Sequence, residues 1–188
     1  MTKNLKIALI LLVVLAGVYF LNQRGQSQYS SQSSQLFSVN AESVSRFLIQ
    51  NKTDAIELSR EDSLWVISGN DTLVVESQSI DNFLEKVLIV ETGTLVSKNP
   101  EKWSKYSVDD STGTHLALID AEGNTMEYVV FGRSKSDYAR NYVRTHKNPQ
   151  VHLTNTSILH YLSTSPTYWG KAPKPEIESP PVEDVIIE

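Results

Sequence analysis

Cysteine is missing from this chain of 188 residues. Its absence excludes disulfides, thiolate metal sites and cysteine nucleophiles, so any folded part must stand on its apolar core alone. Histidine is scarce. The four present, His115, His146, His152 and His160, form neither H-x-x-x-H nor H-E-x-x-H, and their spacing offers no zinc site. There is no G-x-S-x-G, no phosphate-binding loop and no dinucleotide fingerprint, and Gly132 stands isolated. The acids fall mostly in turn-like stretches: Glu61-Asp62, Asp109-Asp110, Asp120 and Glu122. Paired carboxylates can do acid–base work, but here they read as turn formers and solvated faces. No catalytic, cofactor or metal residue is therefore assigned, and an enzyme is not expected.

An excess of positive charge is also lacking. Seventeen basic side chains stand against 22 acidic ones, for a net charge of −5. Three of the basic residues, Lys3, Lys6 and Arg24, precede the first acid, Glu42, so the remainder is more acidic still. A general nucleic-acid binder needs a net basic footprint, and none is expected here.

Long hydrophobic runs are absent but for one, IALILLVVLAGVYFL at residues 7–21. As a helix it would span about 23 Å, short of a hydrocarbon core of about 30 Å. Tyr19 at the interface and snorkelling by Lys6 and Arg24 make a single-pass anchor feasible. A cleaved signal peptide competes, though no A-x-A cleavage pattern is present. Either way the charge bias of Lys3 and Lys6 exports the rest of the chain. The expected localisation is a bacterial inner membrane, single-pass, with the C-terminal domain on the periplasmic side.

Four segments are read. Residues 1–24 are the anchor or signal. Residues 25–35 belong to a Ser/Gln-rich flexible linker. Residues 36–170 form one folded domain. Residues 171–188 hold four of the seven prolines and five acids, the composition of an unstructured tail. The apolar residues Val185, Ile186 and Ile187 could add a strand to a partner.

Within the domain, residues 44–49, 55–60, 64–67 and 72–75 read as strands. Ile80, Phe83, Leu84, Val87 and Leu88 then repeat at helical spacing. Ser77 or Ser79 is the expected cap, Asp81 lies in the first turn, and Gly93 is the expected stop. Residues 94–110 read as a connector pinned by Trp103 and Tyr106. Residues 114–119 and 126–131 form a hairpin, residues 141–145 and 151–153 two more strands, and Ile158, Tyr161 and Leu162 a second helical stripe. VESQSIDNFL at 75–84 aligns without a gap with LTNTSILHYL at 153–162. The expected fold class is α+β: antiparallel sheets with packed helices, a duplicated strands-then-helix unit, after one N-terminal transmembrane helix.

One feature departs from the acidic background. Arg133, Lys135, Arg140, Arg144 and Lys147 fall close together with Tyr138 and Tyr142 interleaved and only Asp137 against them. This is the candidate interaction patch, suited to an anionic polymer, lipid headgroups or an acidic partner. The alternative is a solvated basic loop.

Taken in order, the elements resemble the bacterial domain of unknown function 4340 family. The resemblance rests on the N-terminal apolar segment, Leu64-Trp65-Val66-Ile67, Ser79-Ile80-x-x-Phe83-Leu84, and Val96-Ser97 leading to a Tyr106-Ser107-Val108 corner. Val130-Phe131-Gly132-Arg133, Tyr142-Val143-Arg144, Val151-x-Leu153 and Trp169 complete it. It covers residues 44–169. Ser107 stands where the family pattern has Gly, and Arg133 where Lys is common. The resemblance implies an envelope protein of unknown biochemistry, some members being similar to accessory parts of export or gliding-type transporter systems. The resulting expectation is a membrane-anchored interaction domain with a protein partner in the cell envelope. The alternatives are an exported hydrolase acting on an envelope polymer, and an anionic-ligand binder using the basic loop.

Overall fold

The computed structural model describes residues 12, 14–17, 33–146 and 148–173. Its centre is one nine-stranded sheet in which every pairing is antiparallel. The strands are β1 (Ser34–Gln35), β2 (Arg46–Gln50), β3 (Ala55–Glu61), β4 (Leu64–Ile67), β6 (Glu91–Ser97), β7 (Thr114–Ile119), β8 (Thr125–Arg133), β9 (Asn141–Thr145) and β10 (Val151–Thr154). They lie in the order β1-β6-β10-β9-β8-β7-β2-β3-β4. A separate two-residue ribbon pairs β5 (Val74–Val75) with β11 (Gly170–Lys171). The helices are α1 (Ser77–Leu88) and the single turn α2 (Pro166–Trp169).

The α+β expectation is therefore corrected: the chain is mostly β, one continuous antiparallel sheet with few short helices. The duplicated unit falls with it. Residues 75–84 lead into a twelve-residue helix, whereas the aligned second stretch makes only a three-residue 3-10 turn, Leu159–Tyr161. Asn141 explains the difference, because its side-chain oxygen takes the Ile158 amide at 2.7 Å and ties the stretch to the sheet. The transmembrane helix is not found either, since no helix among the described residues is long and apolar enough to cross a membrane. Most of residues 7–21, the linker up to residue 32 and the tail from residue 174 lie outside the described residues. Ser34 and Gln35, assigned to the linker on composition, pair with Thr92 and Glu91.

Local readings also shift. Residues 94–97 belong to β6 rather than the connector, and Gly93 lies inside that strand instead of ending the helix. The helix is capped by Glu76 without a side-chain hydrogen bond, and Asp81 lies beyond its first turn.

The sheet buries side chains on both faces, to which period-two alternation sends successive residues. On one, Phe47, Ile49, Leu58, Leu116, Leu118, Val129, Phe131 and Val143 join the buried stripe of α1 in the main core. Phe47 is its hub: its ring stacks on Phe83 at 4.4 Å and lies 5.3 Å from both Trp65 and Trp169. Trp65 is thus a core anchor. On the other face the segment 103–113 lies flat over β8 and β9. There Val108, Val130 and Val151 form a small second core, flanked by Trp103, Tyr106, Tyr128 and Tyr142.

Close approach of backbone makes this second layer possible. A Cβ at Gly132 would sit 2.0 Å from the Tyr106 carbonyl oxygen, so only glycine fits. Ser107 turns the covering segment with φ +53°, a left-handed conformation that costs a non-glycine residue about 1–2 kcal/mol. This gives a physical reason for the glycine of the family pattern at that position. Chemical denaturation of the purified protein should show Gly132→Ala losing about 2–3 kcal/mol. Ser107→Gly should gain about 0.5–1 kcal/mol after the extra unfolded-state entropy of glycine is subtracted. A neutral Gly132→Ala would refute the tight layer.

Candidate functional site

Beside the second core the covering segment stops short and leaves a cleft of about 640 Å³, lined by Trp103, Asp110, Thr125, Met126, Glu127, Tyr128, Arg144, Thr145 and His146. Tyr128 and Arg144 come from the face of β8 and β9 turned toward the covering segment, where Ala117 pairs with Tyr128 and Val130 with Arg144. Trp103 and Asp110 come from the covering segment.

Arg144 dominates the cleft. Its side chain is only 5% exposed, while that of its partner Asp110 is 86% exposed. Nε donates to the Val108 carbonyl at 2.9 Å and Nη2 to Asp110 Oδ1 at 3.0 Å. The guanidinium lies 3.9 Å from the centroid of the Trp103 ring, within cation–π range. Trp103 is fixed in turn by donating Nε1–H to the Pro149 carbonyl at 2.9 Å. Asp109 sets the turn that presents Asp110. Burial would raise its pKa, but hydroxyl and amide donors from Ser111 and Thr112 outweigh this and hold it at about 2.

A second group borders the first. Buried His115 shares a 2.6 Å hydrogen bond between Nδ1 and the Tyr128 hydroxyl, and its Nε2 is buried without a hydrogen-bond partner. His146 meets the Tyr128 ring edge-on at 5.5 Å. Burial pulls the His115 pKa below its ordinary value, with Arg144 reinforcing and Asp110 and Asp109 opposing. Burial pushes the Tyr128 phenol up, and Asp110 adds to the effect. Glu127 accepts from Ser38 at 2.9 Å. The cleft thus offers one buried cation, two carboxylates, an exposed imidazole and two aromatic rings: chemistry for binding a polar ligand by charge and stacking.

The sequence-derived patch divides between two places. Arg144 lies in the cleft, and Tyr142 packs on Tyr106 at 4.9 Å beneath the covering segment. Arg133, Tyr138 and Arg140 line a smaller hollow of about 280 Å³ with Ser134 and His160. There Arg140 is paired with Asp137 at 2.6 Å, which holds that carboxyl below its usual pKa. Lys135 is exposed, and Lys147 lies outside the described residues. His152 is half-buried against the Gly93 carbonyl and Gln150, and the His160 ring lies tilted against Tyr161 at 4.0 Å. Among the described residues no group of three or more His, Asp or Glu could hold a metal ion. Sequence reasoning missed the Trp103–Arg144 pair, His115, Tyr128 and His146. The hairpin register alone would have placed His115 and Tyr128 on one face.

Fold and cleft together define a class: a β-rich domain with a helix sealing one face of its sheet and a small cleft on the other. The family model of a domain of unknown function, DUF4340, matches residues 65–172, more than half of the chain, and the chain belongs to that family. No curated protein and no solved structure matches it.

The lowered His115 pKa gives a sign for acid behaviour. The folded state favours the neutral ring, so its contribution is complete above the unfolded value of 6.5 and is lost as pH falls toward the folded value. Urea titrations should show stability falling below pH 6.5 in the wild type. The slope in that window should be shallower in His115→Asn; an unchanged slope would assign the acid sensitivity elsewhere.

Proposed function

We propose that the chain is an extracytoplasmic binding module of the bacterial envelope, acting through the Arg144–Trp103 cleft as an accessory part of a membrane complex. The lysines that precede the apolar run 7–21 support export of the domain to the periplasmic side. The observation that carries the binding role is the fixed cation at the cleft. Arg144 is held by a carbonyl, a carboxylate and an aromatic face, so a ligand meets a charge already positioned. Transporter or export-type machinery is the partner class that the family resemblance implies.

A second reading, an exported hydrolase acting on an envelope polymer, draws on His115, Tyr128 and His146 meeting beside Asp110 and Glu127. It requires the purified full-length protein to release soluble fragments from cell-envelope polymer, and His146→Ala to stop the release.

For the binding reading, a photocrosslinking residue at His146 in intact cells should yield a discrete adduct, and one at Glu85 on the opposite side should not. Protease added to sealed spheroplasts should digest the domain. Equal crosslinking from both positions, or protection of the domain while a periplasmic control is degraded, would overturn the assignment.

A further inference from the structure

The mismatch between Arg144 and its counter-ion points to the ligand's chemistry. A buried guanidinium needs an anion, because an unpaired charge at low dielectric is costly. Here the anion is Asp110, whose side chain is 86% exposed against 5% for Arg144. Asp110 is therefore a carboxylate standing at the cleft, bonded through a single oxygen to Nη2. An exposed carboxylate in water contributes little to such a pair and exchanges readily with other anions. Arg144 cannot leave, since Nε is tied to the Val108 carbonyl and its face to Trp103. Beyond the pair the cleft continues past Thr145, Thr125, Tyr128 and His146, which offer hydroxyls, a ring edge and an imidazole to the body of a ligand.

We propose that the cleft binds a carboxylate-bearing ligand, a peptide C-terminus or a sugar acid, whose carboxylate replaces Asp110 on Arg144. Asp110 is the internal stand-in for that group. A planar guanidinium pairs with a carboxylate or a phosphate through parallel N–H donors; the carboxylate is favoured here because Asp110 already seats that group on Nη2. This inference rests on the binding role proposed above and names its ligand class.

The stand-in role makes an unusual demand: removing Asp110 should strengthen binding. Full-length protein in detergent would be titrated calorimetrically with N-acetyl-D-alanyl-D-alanine, the same dipeptide as its C-terminal amide, N-acetylmuramic acid and inorganic phosphate. Expected are binding of at least one of the two carboxylates, at least tenfold weaker binding of the amide, and weaker binding of phosphate. Asp110→Asn should tighten carboxylate binding about tenfold even though loss of the counter-ion lowers the melting temperature, a gain that misfolding cannot imitate. Arg144→Gln should abolish binding. Preference between dipeptide and sugar acid identifies the source. Equal affinity for acid and amide, tighter binding of phosphate, no binding in either wild type or Asp110→Asn, or weaker binding in Asp110→Asn would each overturn the proposal. Loss of this ligand class would leave the crosslinking result from His146 standing, so the two readings fail separately.

Discussion

The architecture depends on the strict alternation of β8. Val129 and Phe131 enter the main core beneath α1, while Tyr128, Val130 and Gly132 face the covering segment. One strand thus serves two cores of very different size. The main core is deep enough to be sealed by an amphipathic helix. The second holds three fully buried valines and can be covered only by a chain lying almost in contact with the sheet backbone. Gly132 permits that contact, and Ser107 supplies the turn at a conformational cost.

A thin second layer leaves its border polar, and this decides what Arg144 can be. A lysine there would bring a compact, strongly hydrated charge that lies poorly on a ring. The guanidinium is weakly hydrated, planar and always charged, so it can stack on Trp103 and still donate in its own plane. The carbonyl of Val108 is available because the covering segment lacks regular strand pairing at that point. The same thinness leaves Asp110 in solvent. A buried cation with an exposed anion thus follows from the size of the second core.

Much of the fold was legible in the sequence. The strands at 55–60, 64–67, 114–119 and 141–145 and the buried stripe of α1 stand nearly where period two and period 3.6 put them. Strand β6 was hidden because ETGTLVS begins polar and carries Gly93, which has the look of a helix stop but is a strand glycine close to the Leu153 carbonyl. The stripe of Ile158, Tyr161 and Leu162 mimics a helix, but a side-chain bond from Asn141 overrides that local pattern. The family was legible from the order of short motifs. The cleft was not, because its chemistry joins residues that only sheet register and a long covering segment bring together. The basic patch looks continuous in sequence, yet period two sends Tyr142 and Arg144 to the covered face while Arg133, at the end of β8, gathers with Tyr138 and Arg140 of the following loop.

The extent of the family match raises a folding question that the core answers. Residues 65–172 contain α1, the covering segment and every residue of the cleft, but leave out β1, β2 and β3. They cannot make a closed domain alone. Phe47 of β2 is the ring on which Trp65, Phe83 and Trp169 converge, and Ile49 and Leu58 fill the same core without exposure. Removing β2 and β3 would strip the main core of its hub and expose the free edge of β7 along five paired residues. The folding unit is therefore wider than the matched segment. Its N-terminal strands complete the core, while the residues within the match carry the cleft.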